Sequence, residues 1–223
     1  MPEYPSDSNK MRAQSLNRTG LEHYEHWELD SAITLFREAS RLDKTNPDYY
    51  LNLARAYVRT GDYEHMLQAL GNYLRYEKDP DLTDRFQALF SNALDAVETR
   101  LTEVMTRHKV SLEIIGAAIQ MWVEYRVSIG KQSLDLSRPE DWAAALDYTV
   151  RKVNFIETPL EELVKWYRAD EYAVRLHHQD LVTTLDIMPC DYRYFRGDEN
   201  PLDKLVEAAL MLEELEKRFH TAS

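Results

Sequence analysis

YYLNLARAYVRTGDYEHMLQALGNYL, residues 49–74, decides the fold. Its apolar residues recur three and four apart on both sides of Gly61-Asp62, the spacing of helices that each bury one face. Glycine followed by aspartate is the punctuation expected where one helix stops and another starts. The pattern repeats upstream: Leu16, Gly20, Ala32, Phe36 and Ala39 return 34 residues later as Tyr50, Ala54, Met66, Leu70 and Tyr73. That is the period of a unit made of two helices.

On these residues the N-terminal part resembles the tetratricopeptide repeat (TPR) family. LNRTGLEHY and DSAITLFREASRLD, within residues 13–46, carry the family's small residue on the first helix, then the alanine and the aromatic of the second. Residues 47–80 match better, with Tyr57 and the turn Gly61-Asp62-Tyr63. Trp27 stands in place of the first turn glycine, Met66 in place of the second packing alanine, and Lys44 and Lys78 where proline is usual. The resemblance implies that the first helix of each unit lines a concave face, here Gln14, Asn17, Leu21 and Tyr24, then Asp48, Leu51, Arg55 and Arg59. Such a groove takes a protein or peptide partner. Arg55 and Arg59 could meet an acidic peptide, or else pair with Asp48, Asp62 or Glu64 of their own chain. The basic clamp of chaperone-binding repeats is not matched, because Leu21 stands where that clamp uses asparagine.

Each repeat buries its apolar face only against a neighbour. Residues 81–108 offer one: Leu82, Phe86, Leu89, Phe90, Ala93, Val97, Leu101, Val104 and Met105 fall at helical spacing with no proline or glycine. The spacing predicts one long helix of about 40 Å. The expected organisation is thus a flexible leader over 1–10, two repeats over 11–80, a capping and bridging helix over 81–110, and a helical domain over 111–223. Proline marks helix edges throughout, and no segment alternates as a strand would. The expected class is all-α.

Farther along, Ser111 opens a helix whose inward face is Ile114, Ile115, Ala118, Ile119, Trp122 and Val123. Ser137-Arg138-Pro139-Glu140 and Thr158-Pro159-Leu160-Glu161 both have capping-box order. Between them, WAAALDYTVRKVNF (142–155) reads as a small-residue central helix; TPLEELVKWY and EYAVRLHHQDLVTTL then follow in helix-turn-helix order. This region is similar to the second cyclin-box repeat of general transcription factors. It resembles more closely a bacterial domain family of unknown function, through Trp142-Ala143-Ala144, Tyr148, Asn154-Phe155, Thr158 and Asn200-Pro201. The resemblance covers about residues 111–202 and implies a helical fold without an established activity.

Charge argues against a nucleic-acid reader. The chain of 223 residues has net charge −12, and the segments 1–80, 81–110, 111–188 and 189–223 each hold more acids than bases. Across residues 158–186, Glu161, Glu162, Asp170, Glu171, Asp180 and Asp186 face only Lys165, Arg168 and Arg175. Phosphate neutralisation supplies most non-specific affinity, and Arg168 occupies the turn position where DNA-binding members of the motif usually carry glycine. Contact through Arg168, Arg175 and His177 is the alternative in which the protein is a transcriptional regulator.

No cofactor, metal or catalytic signature emerges. His23 and His26 share a helix face without a third ligand, and His177 and His178 diverge by about 100°. Cys190 lies in MPCDY without a base partner, and no phosphate loop, GxSxG or HExxH occurs. One cysteine, no apolar run of about 20 residues and a polar N-terminus suggest a cytoplasmic protein outside the membrane. The last helix, Pro201–Phe219, is apolar well beyond one stripe. It is either buried within the chain or the seam of a homodimer. The function expected is that of a non-enzymatic adaptor.

Overall fold

In a computed structural model, which describes residues 6–90, 94–189, 191–197, 206 and 210, the chain is all-α, with no strand among the described residues. Helices α1 (Asp7–Glu25), α2 (Leu29–Leu42), α3 (Pro47–Thr60) and α4 (Tyr63–Tyr76) form two antiparallel hairpins of TPR type. Asn46 caps α3 by accepting from the Asp48 amide, and Pro47 takes the first helical position. At the other end Gly61 is left-handed at φ 72°, and its amide and that of Asp62 close back on Val58 and Tyr57. A Cβ at Gly61 would meet nothing within 4 Å, so alanine there tests backbone strain alone. Gly61→Ala should lower stability by about 1 kcal/mol in a thermal melt.

In the first hairpin Trp27 takes that conformation itself, at φ 62°. Its ring lies against the Arg59 guanidinium, 4.7 Å from the centroid, contact that glycine could not supply. The core of these helices gathers Tyr24, Ala32, Phe36, Leu51, Ala54, Leu70 and Tyr73. The TPR-type small residue Gly20 lies so close to Phe36 that a Cβ would sit 2.6 Å from the ring.

Two expectations are corrected nearby. Residues 7–10, read as leader, are the first turn of α1, because Ser6 accepts from the Asn9 amide and starts the helix early. The single helix expected over 81–108 is not there. Instead α5 (Pro80–Gln87) runs into a 3-10 turn over Ala88–Phe90, and α6 (Ala96–Arg107) starts afresh. Asp95 makes a full capping box with Glu98, satisfying amides that a continuous helix would have bonded internally.

The chain divides into two compact units. The first holds residues up to 93 together with 126–133, and Val127 joins the core of the repeats. The second holds 94–125 and residues from 134 onward: α6, α7 (Leu112–Ser128) through Tyr125, α8 (Pro139–Val153), α9 (Leu160–Tyr167) and α10 (Glu171–Leu185). In it α8 is central, packed by α6, α9 and α10, with Ala143, Ala144 and Ala145 fully buried.

Neither expected capping box in this unit forms. Arg138 occupies the cap position of α8 without a side-chain bond, and Pro159 that of α9. The Thr158 hydroxyl instead accepts from Nη1 of Arg151 at 2.9 Å. Behind α8, Glu124 accepts from the Tyr194 hydroxyl at 2.5 Å, and Arg193 pairs with Asp191 at 2.7 Å. These fully or nearly buried charges tie residues 191–196 into the unit.

Candidate functional site

The expected groove residues stand on α1 and α3, and they do not form one surface. Asn17, Leu21, Asp48, Leu51 and Arg55 converge on a cavity of about 560 Å³. Gln14 is exposed elsewhere on α1, and Tyr24 and Arg59 lie outside the cavity lining. Asn52, absent from the sequence-based set, completes the α3 side and donates to Oδ1 of Asn17 at 2.9 Å. Its position one residue after Leu51 was the available signal.

Arg55 and Arg59 differ in role. Arg59 donates through Nη1 to the Tyr24 carbonyl at 3.0 Å and lies 4.0 Å from the Tyr24 ring centroid, so it is a packing element of the first turn. Arg55 contacts the Tyr24 ring at 5.2 Å and reaches Asn52 only at 3.5 Å. Among the described residues neither has a carboxylate within ion-pair distance. Asp48 pairs with Lys131, and Asp62 caps α4 and bonds His65 at 2.7 Å. Self-pairing with Asp48, Asp62 or Glu64 is therefore not what the structure contains.

The remaining wall of the cavity is the chain's own Ile129, Gly130, Lys131 and Gln132, which belong to the same unit. Gly130 is left-handed at φ 57°, and a Cβ placed there would lie 3.7 Å from the Leu51 side chain and 3.9 Å from that of Arg55. The Lys131 ammonium is shared by Asp48 at 2.8 Å and Glu77 at 3.1 Å. Nη1 of Arg85 donates to the Gln132 carbonyl at 2.6 Å. No periodicity in the repeats could reveal this segment, because it arrives from beyond α7.

Glu77 reports on that latch. Burial alone would raise its pKa, but the Asp79 amide, the Tyr73 hydroxyl, the Lys78 amide and Lys131 together hold it at about 2, against an ordinary 4.5. A carboxyl depressed on folding stabilises above its unfolded pKa and loses that contribution as pH falls. Stability should therefore decline between pH 4.5 and about 2, and Glu77→Gln should flatten that decline in melts recorded across the range.

In the second unit α9 is followed by a turn with Arg168 left-handed at φ 56°, and then by α10, capped by Asp170. The three expected nucleic-acid contacts are not assembled. Arg175 is engaged by Glu171 at 2.7 Å. His177 stacks on Trp142 at 3.8 Å, and burial lowers its pKa against the pull of Asp141, Asp180 and Asp135. Arg168 is exposed on the turn.

The other histidines are occupied. His178 donates from Nδ1 to the Thr149 hydroxyl at 2.8 Å, the hydroxyl proton going to the Ala145 carbonyl. His26 donates to the Glu22 carbonyl, and His23 bonds Glu28. Among the described residues no three His, Cys, Asp or Glu side chains cluster as a metal site, and no helix is long and apolar enough to cross a membrane. Cys190, Asn200-Pro201 and most of the helix expected over Pro201–Phe219 lie outside the described residues.

Comparison with known families places the TPR repeat on residues 20–61, from the C-terminal part of α1 through α3 to its turn glycine. TPR repeats mediate protein–protein interaction as a family and are not enzymes. No curated protein matches the chain, and no solved structure does.

Proposed function

We propose that the protein is a non-enzymatic interaction module that holds a peptide or protein partner against the inner face of its TPR-like helices, at Asn17, Leu21, Asp48, Leu51 and Arg55. One observation carries it: a cavity of about 560 Å³ where Arg55 is half-buried, in contact with Tyr24 and Asn52, and has no carboxylate partner among the described residues. An uncompensated guanidinium beside amides and leucines suits recognition of a polar chain with apolar side groups. Arg55→Glu should remove the partner from material co-purified with the tagged protein while leaving the melting temperature near wild type. Unchanged recovery would contradict the groove assignment. Arg59→Glu is a poorer probe, since Arg59 packs between Tyr24 and Trp27.

The reading of the first unit as the repeat module and of the second as a separate helical domain is part of the same proposal. So are the kinship of residues 111–202 to a bacterial cyclin-box-like domain, a cytoplasmic location, and a homodimer through the C-terminal helix. The transcription-regulator alternative finds less support, because Arg175 and His177 already have partners. A gel shift at low salt that is lost on Arg168→Glu would revive it.

A further inference from the structure

The cavity is bordered by more positive than negative charge, in a chain whose net charge is −12. Arg55 and Lys131 line it, Arg59 lies one turn from Arg55, and Arg85 holds the Gln132 carbonyl of its wall. Among the described residues the carboxylates paired here are Asp48 and Glu77, both shared with Lys131.

The guanidinium groups are also incompletely bonded. Nε of Arg55, Nε of Arg59, and Nε and Nη2 of Arg85 are buried and meet no acceptor among the described residues. A buried donor without an acceptor costs about 1–3 kcal/mol. Burial lowers the Arg85 pKa, and the Arg126 charge works in the same direction. Like charges gathered beside unfilled donors are stabilised when an anion enters.

Resting on the groove assignment above, we infer that the partner is a short extended segment bearing acidic side chains, and that residues 129–132 form part of its binding surface. Arg55 takes one carboxylate, and Lys131, backed by Arg85, helps to hold the segment. The Asn17–Asn52 amide pair meets the partner's backbone, while Leu21, Leu51 and Ile129 accept its apolar side chains. A protein segment fits better than a nucleic acid, since the apolar half of this lining has no use for phosphates and the rest of the chain repels them.

The test uses the full chain and three fluorescein-labelled nonapeptides of one scaffold, Gly-Leu-Xaa repeated three times, with Xaa glutamate, glutamine or lysine. A labelled oligothymidylate serves as the nucleic-acid probe. Fluorescence anisotropy should show the glutamate peptide binding about tenfold more tightly than the glutamine peptide. That preference should shrink at high salt, disappear in Arg55→Gln and weaken severalfold in Lys131→Gln. Equal binding of the glutamate and glutamine peptides overturns the inference. So do tighter binding of the oligonucleotide, an Arg55→Gln variant with the preference intact, and no binding of the glutamate peptide at about 1 mM. Amide shifts mapped by NMR separate the two ideas. Glutamine-peptide shifts on residues 17–21 and 48–55 keep the groove while removing the acidic partner; glutamate-peptide shifts confined to the second unit remove both.

Discussion

Replacing Arg151 with methionine is expected to cost about 3–5 kcal/mol of stability, the largest single effect in the second unit. Nε of Arg151 donates to Asp147 at 2.6 Å, and the Asp147 side chain is 0% exposed. The Tyr167 hydroxyl donates to the other carboxylate oxygen at 2.9 Å. Burial pushes the Asp147 carboxyl above its usual range, and the Arg151 charge and both hydrogen bonds oppose that. With Arg151 gone, the opposition shrinks to the Tyr167 hydrogen bond and a smaller contribution from His108. Desolvating a charge is costly enough that the carboxyl then takes up a proton.

The sign of the pH dependence follows. A carboxyl whose folded pKa lies above its unfolded value contributes most below the unfolded pKa, and that contribution is lost as pH rises through the folded value. The deficit of Arg151→Met should therefore be largest near neutrality and shrink as pH falls toward about 4. Removing both charges, in Asp147→Leu/Arg151→Met, should cost less than the single change, because no ion is left buried. Urea denaturation of the three proteins at two pH values checks this. A single-variant loss below about 1 kcal/mol would mean that the pair is not buried as described.

Phe36→Ala is expected to cost about 3–5 kcal/mol in the first unit. The ring is fully buried between the first pair of helices and occupies the space that a side chain at Gly20 would need. Gly20→Ala alone should cost about 1–3 kcal/mol by overpacking, since the added methyl would press on a fully buried ring. In the Phe36→Ala background the same change should be neutral or favourable, as the added methyl enters the space left by the ring. Thermal melts of the four proteins form the cycle. Additive losses would show that Gly20 is kept for some other reason.

This interlock was legible in the sequence because it is local. Gly20 and Phe36 sit at fixed positions of a 34-residue repeat, and that spacing, with Gly61, placed the paired helices from residue 11 onward, while the first turn of α1 at residues 7–10 was read as leader. The fresh helix start at Asp95 was missed, although Asp95-Ala-Val-Glu98 has capping order, because apolar spacing ran unbroken across it. Ser137 and Thr158 failed in the opposite sense. The capping order was there, but Thr158 is claimed by Arg151, a partner that only tertiary structure supplies.

The candidate site was half legible for the same reason. Asn17, Leu21, Asp48, Leu51 and Arg55 follow from the face of two helices, and they do share a cavity. Lys131 and its grip on Asp48 and Glu77 join segments far apart in sequence, and no pattern within either segment encodes that pairing. At residues 160–185 two helices, α9 and α10, are joined by a short turn. Of the three side chains expected to contact nucleic acid, Arg175 and His177 are engaged by Glu171 and Trp142, and Arg168 is exposed on the turn.

The most direct test of the groove as the working surface is site-specific photo-crosslinking in cells. Benzoylphenylalanine is placed at Asn17, in the cavity lining, and separately at Tyr172, exposed on α10. A discrete adduct from position 17 that disappears when Arg55→Glu is added, with none from position 172, is the expected result. Adducts from position 172 alone, or a position-17 adduct indifferent to Arg55, would contradict it.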